Sequence, residues 1–165
     1  MIRPVRPEDG EELAALYLAN RDFLAPFEPV RPPEFFTADG QRERLQRQLD
    51  DETHPFAILD DGAIAGTINL FHIRRESLQS GTIGYFVDHR RNGRGLATGA
   101  VGEIVAFAFD DLDLHRVEAA TLVDNVPSQR VLEKNGFERI GLARRFLRIN
   151  DEWRDFLLFQ RIADD

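Results

Sequence analysis

Apolar residues recur along the chain with two different periods, and the switch between them marks out the elements. Ile2 to Val5 alternates as a short strand. Leu13, Leu16 and Tyr17 then share one helical face after Asp9, which has capping-box spacing with Glu12, and this helix should end between Asn20 and Leu24. The run Ala25-Pro26-Phe27-Glu28-Pro29-Val30-Arg31-Pro32-Pro33 holds too many prolines for a helix or a central strand. It is a loop whose phenylalanines are either anchors or the walls of a cleft. Thr37 is placed to cap a second, very polar helix that runs to Asp50.

From Pro55 the character of the chain changes. Pro55–Leu59, the turn Asp60-Asp61-Gly62 and Ala63–Ile73 read as a hairpin, and Gly81–Asp88 as a further strand. Leu96, Ala100, Val101, Ile104 and Ala108 give the next stretch, Gly95 to Phe109, a single apolar helical face. His115–Val123 is a strand, and Pro127–Asn135 a short helix that Gly136 can end as a left-handed cap. Two strands, Phe137–Ile149 and Glu152–Ile162, close the chain around Asn150-Asp151. The order βααβββαβαββ predicts a mixed α/β sheet with helices, neither a strict alternation nor a bundle. No repeat or linker divides it, so residues 1–165 are expected to form one domain.

Composition removes several classes of function. The chain has no cysteine, which rules out disulfides, thiolate metal sites and a cysteine nucleophile. Its four histidines lack metal-ligand spacing, so no metal is expected. The apolar runs are too short to cross a bilayer and the N-terminus lacks an apolar signal segment, which predicts a cytoplasmic protein without a membrane partner. A net charge of -8 argues against a nucleic-acid partner. Within that acidic background Arg90, Arg91 and Arg94 form a basic island, which points to a bound anion or to a solvated loop.

The island belongs to a glycine-rich turn, Arg90-Arg91-Asn92-Gly93-Arg94-Gly95-Leu96-Ala97-Thr98, between an apolar strand and an amphipathic helix. Glycines let the backbone approach a ligand closely, and a helix start offers unpaired N–H groups, so a pyrophosphate suits the turn. A P-loop would end in Gly-Lys-Ser/Thr, and this turn does not. A dinucleotide fold could use Gly93, Gly95 and Gly99, but a turn so late in the chain leaves too little sequence to build it.

The turn resembles motif A of the GNAT superfamily of N-acetyltransferases, whose pattern is Gln/Arg-x-x-Gly-x-Gly/Ala. Starting at Arg90, the glycine positions are Gly93 and Gly95. A register that matches the helix start puts Asn92, Gly95 and Ala97 there, with Asn92 departing from the pattern. A second segment, Asn125-Val126-Pro127-Ser128-Gln129-Arg130-Val131-Leu132-Glu133-Lys134-Asn135-Gly136-Phe137, resembles that family's motif B at the expected distance. The whole chain is similar to the RimJ/RimL-like subgroup, whose members acetylate N-terminal amines of ribosomal proteins. Its loop Leu24 to Pro29 resembles that subgroup's aromatic-proline loop, with Phe27 where tryptophan is usual.

The resemblance implies a mostly antiparallel twisted sheet with a splayed central strand pair, flanked by about four helices. It also implies acetyl-CoA as co-substrate, with the pantetheine arm on backbone groups of Phe86 and Val87 and the pyrophosphate on the amides of Gly93 to Thr98. Asn125 caps its helix or meets the ligand, and Arg130 and Lys134 have a spacing suited to a phosphate. The tyrosine many members use as acid is Leu132 here, so Ser128 is the expected proton donor to the thiolate. Glu118 leads as general base, ahead of Asp88, His72 and Glu28, although it could pair with Arg116 instead. An α-amine is roughly a fifth unprotonated near neutral pH, against about one in a thousand for lysine, which favours a protein N-terminus over a lysine acceptor. A polyamine, an amino acid or an amine antibiotic are the other acceptors, and the acidic chain favours a cationic one. A homodimer is compatible with the sequence. The rivals are a catalytically silent acyl-CoA-binding module and a nicotinamide-dependent oxidoreductase.

Overall fold

In the computed structural model, which describes residues 1–164, seven strands form one sheet. They are β1 (Ile2–Pro4), β2 (His54–Asp60), β3 (Ala63–Arg74), β4 (Ser80–Val87), β5 (Arg116–Leu122), β6 (Glu138–Ile149) and β7 (Glu152–Ile162). Their order is β1-β2-β3-β4-β5-β7-β6, and only β4 and β5 run parallel. The helices are α1 (Gly10–Ala19), the single turn α2 (Arg21–Leu24), α3 (Ala38–Asp50), α4 (Leu96–Ala106) and α5 (Val126–Lys134). The mostly antiparallel sheet matches the expected fold, and it is not the parallel, doubly wound sheet that a nicotinamide enzyme would need.

Helices cover both faces of the sheet, which is why β2 and β3 read as nearly continuous apolar runs rather than alternating ones. On one face Ile58, Ile68 and Leu70 pack with Val101 and Ile104 of α4 and Leu132 of α5, all fully buried. On the other, Leu13 and Leu16 of α1 meet Ala57 and Ile64. Among the described residues no helix is long and apolar enough to cross a membrane.

Local chemistry sets the element ends. Thr37 Oγ1 accepts the Gly40 N–H at 3.0 Å, the expected cap of α3. Gly136, at φ 75°, ends α5 while the Phe137 N–H reaches back to Leu132 O at 3.1 Å. Asn150 and Asp151 take φ 49° and 65°, which suits the tight turn between β6 and β7. The capping box expected at Asp9 does not form. Asp9 is drawn away by Arg3, at 2.7 and 2.8 Å, and by the Arg6 N–H, while Glu12 accepts the Ile64 N–H and ties α1 to β3.

Candidate active site

β4 and β5 pair over three residues only, Ser80–Thr82 with Arg116–Glu118. Beyond that point β4 follows β3 as far as Val87 and β5 follows β7 as far as Leu122. The twisted sheet therefore splits, and one edge of β4 is left without a strand partner. The Asp88 N–H donates to Ala65 O at 2.7 Å, so by strand alternation the Val87 and Tyr85 peptides face the gap. The Phe86 peptide is turned the other way. Its carbonyl lies where a Cβ on Gly66 would collide with it, and its ring packs 5.0 Å from Tyr17. Of the two residues expected to offer backbone groups, Val87 has the gap-facing N–H.

The glycine-rich turn stands at the open end of β4. Gly93 and Gly95 both adopt φ 79°, and a Cβ on either would meet no protein atom within 4 Å. Backbone conformation and outside space, not packing, call for glycine here. Gly95 is the N-cap of α4 and has no side chain to cap with, and the first intrahelical bond runs from the Gly99 N–H to Gly95 O at 2.9 Å. The N–H groups of Leu96, Ala97 and Thr98 precede that bond and are available to an anion.

The basic island is not a free cationic patch. Arg90 grips Asp88 at 2.7 Å, while Arg91, at 2.8 Å, and Arg94 converge on Asp60. Each guanidinium has five donors and spends one or two of them here, so these pairs brace the turn and still leave N–H groups for a ligand. The Arg90 hydrogen bond holds the Asp88 carboxyl down at about 2, so it stays ionised and engaged with Arg90. Asn92 is exposed in the turn.

Across the gap, Asn125 Oδ1 caps α5 by accepting the Ser128 N–H at 3.4 Å. Ser128 Oγ lies 2.9 Å from the Tyr85 hydroxyl, which also approaches Ser128 O at 3.3 Å. Burial pushes the Tyr85 phenol up to about 12, so it stays protonated and able to donate. Tyr85 was not singled out in the sequence. The usable signal was a tyrosine on the core-facing side of a strand, since a buried hydroxyl needs a partner. Arg130 and Lys134 are exposed on α5, and the Asn135 amide bonds Thr98 O at 3.1 Å, tying α5 to the start of α4.

Glu118 belongs to the last strand pair before the split, at the apex of the gap. Alternation puts its side chain on the face of Ala120 and Leu122, opposite to the face that Tyr85 and Ser128 occupy. Arg116 donates to Gln160, not to Glu118. Of the weaker candidates, His72 sits exposed at the β3 bulge, and Glu28 lies 3.6 Å from Arg31.

The loop after α1 and the final hairpin, far apart in sequence, meet where the Asn150 amide donates to Ala25 O at 2.6 Å. Between them is a cavity of about 180 Å³ lined by Tyr17, Arg21, Glu28, Arg31, Phe35 and Asn150, among others. Asn20, fully buried, joins this region to the glycine-rich turn. Its amide donates to Leu16 O at 2.9 Å, and its Oδ1 accepts the His89 N–H at 3.0 Å and faces His89 Nδ1 at 2.9 Å. A polar residue at a helix end carried no sequence signal of this role.

A family model described as an acetyltransferase (GNAT) domain matches residues 1–138. The chain is 42% identical over 160 residues to the Bacillus subtilis (strain 168) protein named "Probable N-acetyltransferase YjcK", covering 93% of this chain and 88% of the other. It is 30% identical to the Escherichia coli (strain K12) [ribosomal protein uS5]-alanine N-acetyltransferase, over 96% of this chain and 84% of that one. The crystal structure of ribosomal-protein-S5-alanine acetyltransferase from Vibrio fischeri superimposes with a TM-score of 0.94 at 32% identity, covering 99% and 93% of the two chains. Mycobacterium smegmatis RimJ in complex with CoA-disulfide superimposes with a TM-score of 0.93 at 31% identity, covering 98% and 81%. A split sheet, an uncapped glycine-led helix and relatives of this kind lead to one conclusion: the chain belongs to the GNAT family, as an N-acetyltransferase of the RimJ/RimL-like kind.

Proposed function

We propose that residues 1–165 act as one cytoplasmic acetyltransferase domain that passes the acetyl group of acetyl-CoA to a protein N-terminal amine by direct attack in a ternary complex. The observation that carries this reading is the gap between β4 and β5, with the Tyr85–Ser128 hydroxyl pair on one face and Glu118 at its apex on the other. The likeness to a CoA-bound RimJ and to ribosomal-protein acetyltransferases supports both the donor and the acceptor class.

The chain's own groups fit each step. The pantetheine arm takes the place of the missing strand on β4, and the diphosphate rests on the amides of Gly93 to Thr98 with Arg90, Arg91, Arg94 and Arg130 nearby. The Val87 N–H polarises the thioester carbonyl and stabilises its developing oxyanion. Glu118 takes a proton as the amine attacks the carbonyl carbon. The C–S bond then breaks, the thiolate receives the Ser128 Oγ proton, the Tyr85 hydroxyl at 2.9 Å replaces it, and solvent returns a proton to Tyr85 once the products leave. A thioester is already activated, so positioning and charge stabilisation account for the catalysis without an enzyme nucleophile.

Free-thiol release from acetyl-CoA with an N-terminal peptide tests the proposal. Release that depends on the peptide and falls sharply in Ser128→Ala is expected. Donor binding with no release from any amine would leave a silent binding module and end the catalytic reading.

A further inference from the structure

The cavity beside α1 and α2 carries a charge opposite to that of the whole molecule. The chain's net charge of -8 favours a cationic acceptor in bulk. Locally the balance reverses: Arg21 and Arg31 line the cavity, and Glu28 is the one carboxylate among its lining residues. Aromatic faces hold these guanidiniums in place. Arg31 lies 4.9 Å from the Phe35 ring centroid and Arg21 5.2 Å from that of Phe36, with Arg44 behind at 5.3 Å from Tyr17. A guanidinium stacked by its face keeps its N–H edge for an in-plane acceptor.

Arg31 also has an unmet requirement. Its Nε is buried without a hydrogen-bond partner, with Glu28 Oε2 3.6 Å away. Glu28 is thus an ion-pair partner too distant for a hydrogen bond, and an oxygen from a bound molecule would satisfy the Nε–H that it leaves unmet. The Tyr17 ring that lines the cavity packs on Phe86, the neighbour of Val87 at the end of β4.

We propose that this cavity is an anion-selecting subsite: the acceptor carries a carboxylate close to its reactive amine, and Arg31, assisted by Arg21, binds that carboxylate. This deepens the acetyltransferase reading and rests on it. A polyamine would bring its cations against two guanidiniums, so the local field discriminates against it. The carboxylate can come from an acidic side chain next to a peptide N-terminus or from the C-terminus of a dipeptide.

The test compares kcat/KM at low salt for Ala-Asp-Ala amide and its isostere Ala-Asn-Ala amide, and for alanyl-alanine and its C-terminal amide, with spermidine as the cationic probe. Wild type should prefer the carboxylate of at least one pair by about tenfold or more, and the pair that shows the preference identifies the source. Arg31→Gln should bring that ratio close to one. Arg21→Gln, a second variant less dependent on the buried Nε, should narrow it in part, with both melting temperatures near wild type. Spermidine or the neutral peptides doing as well as the acidic ones would overturn the subsite and leave amine acetylation standing. Thiol release from none of them, with acetyl-CoA still bound, would overturn both.

Discussion

Gly95 is the residue where folding and donor binding separate most cleanly. Its φ of 79° lies in the left-handed region, and an added Cβ would meet no protein atom within 4 Å. Gly95→Ala therefore costs the fold only backbone strain, about 1–2 kcal/mol. For a chain of this size that lowers Tm by about 2–8 °C. The same methyl group stands at the open start of α4, beside the N–H groups of Leu96, Ala97 and Thr98. Losing one charge-assisted bond to a phosphate costs about 1.5–3 kcal/mol, so acetyl-CoA affinity should fall by about tenfold to a hundredfold. Gly95→Asn separates the two causes. Asparagine tolerates the left-handed region, so most of the Tm returns, but its Cβ still fills the approach and affinity stays low. Calorimetric titration with acetyl-CoA and a thermal melt of each variant supply the readouts. Affinity within about twofold of wild type for Gly95→Ala would refute close diphosphate approach at this turn.

Four further outcomes follow from the hydrogen-bond network. Ser128→Ala should lower kcat by about a hundredfold with acetyl-CoA affinity preserved. If Tyr85 acts through Ser128, Tyr85→Phe should lower kcat less, and the double variant should be no slower than Ser128→Ala; additive losses in steady-state kinetics would separate the two. Asn20→Ala removes the acceptor of the His89 N–H and the donor to Leu16 O, so it should cost about 2–3 kcal/mol and roughly 5–10 °C in a thermal melt. The Asp88 carboxyl is held at about 2 against an ordinary 3.8, so its ion pair stabilises the fold above pH 4 and is lost as pH falls through about 2. Asp88→Asn should thus be less stable than wild type at pH 6, modestly because the exposed Arg90 is screened, and should converge with it below about pH 2 in urea unfolding. A gap independent of pH would contradict the pairing.

Local rules carried much of the architecture. The element order, the Thr37 cap, the Gly136 terminator and the Asn150-Asp151 turn depend on neighbours within a few residues, so they were readable along the chain. The glycine-led start of α4 and the Asn125 cap were readable for the same reason. Asp9 was misread because its real partners, Arg3 and the Arg6 N–H, compete better than a helix start does, and propensity does not rank such competitors.

Everything that depends on two distant segments meeting was decided by the tertiary structure. The sheet splits because β4 follows β3 while β5 follows β7, and only the assembled twist shows that three pairs suffice before they part. Tyr85 finds Ser128 across that split, Asn20 finds His89, and the arginines of the turn find Asp60. Charge shows the difference most plainly. Composition adds every residue into one acidic total, whereas the field in a cavity comes from the few groups folded around it, and there Arg21 and Arg31 outnumber Glu28.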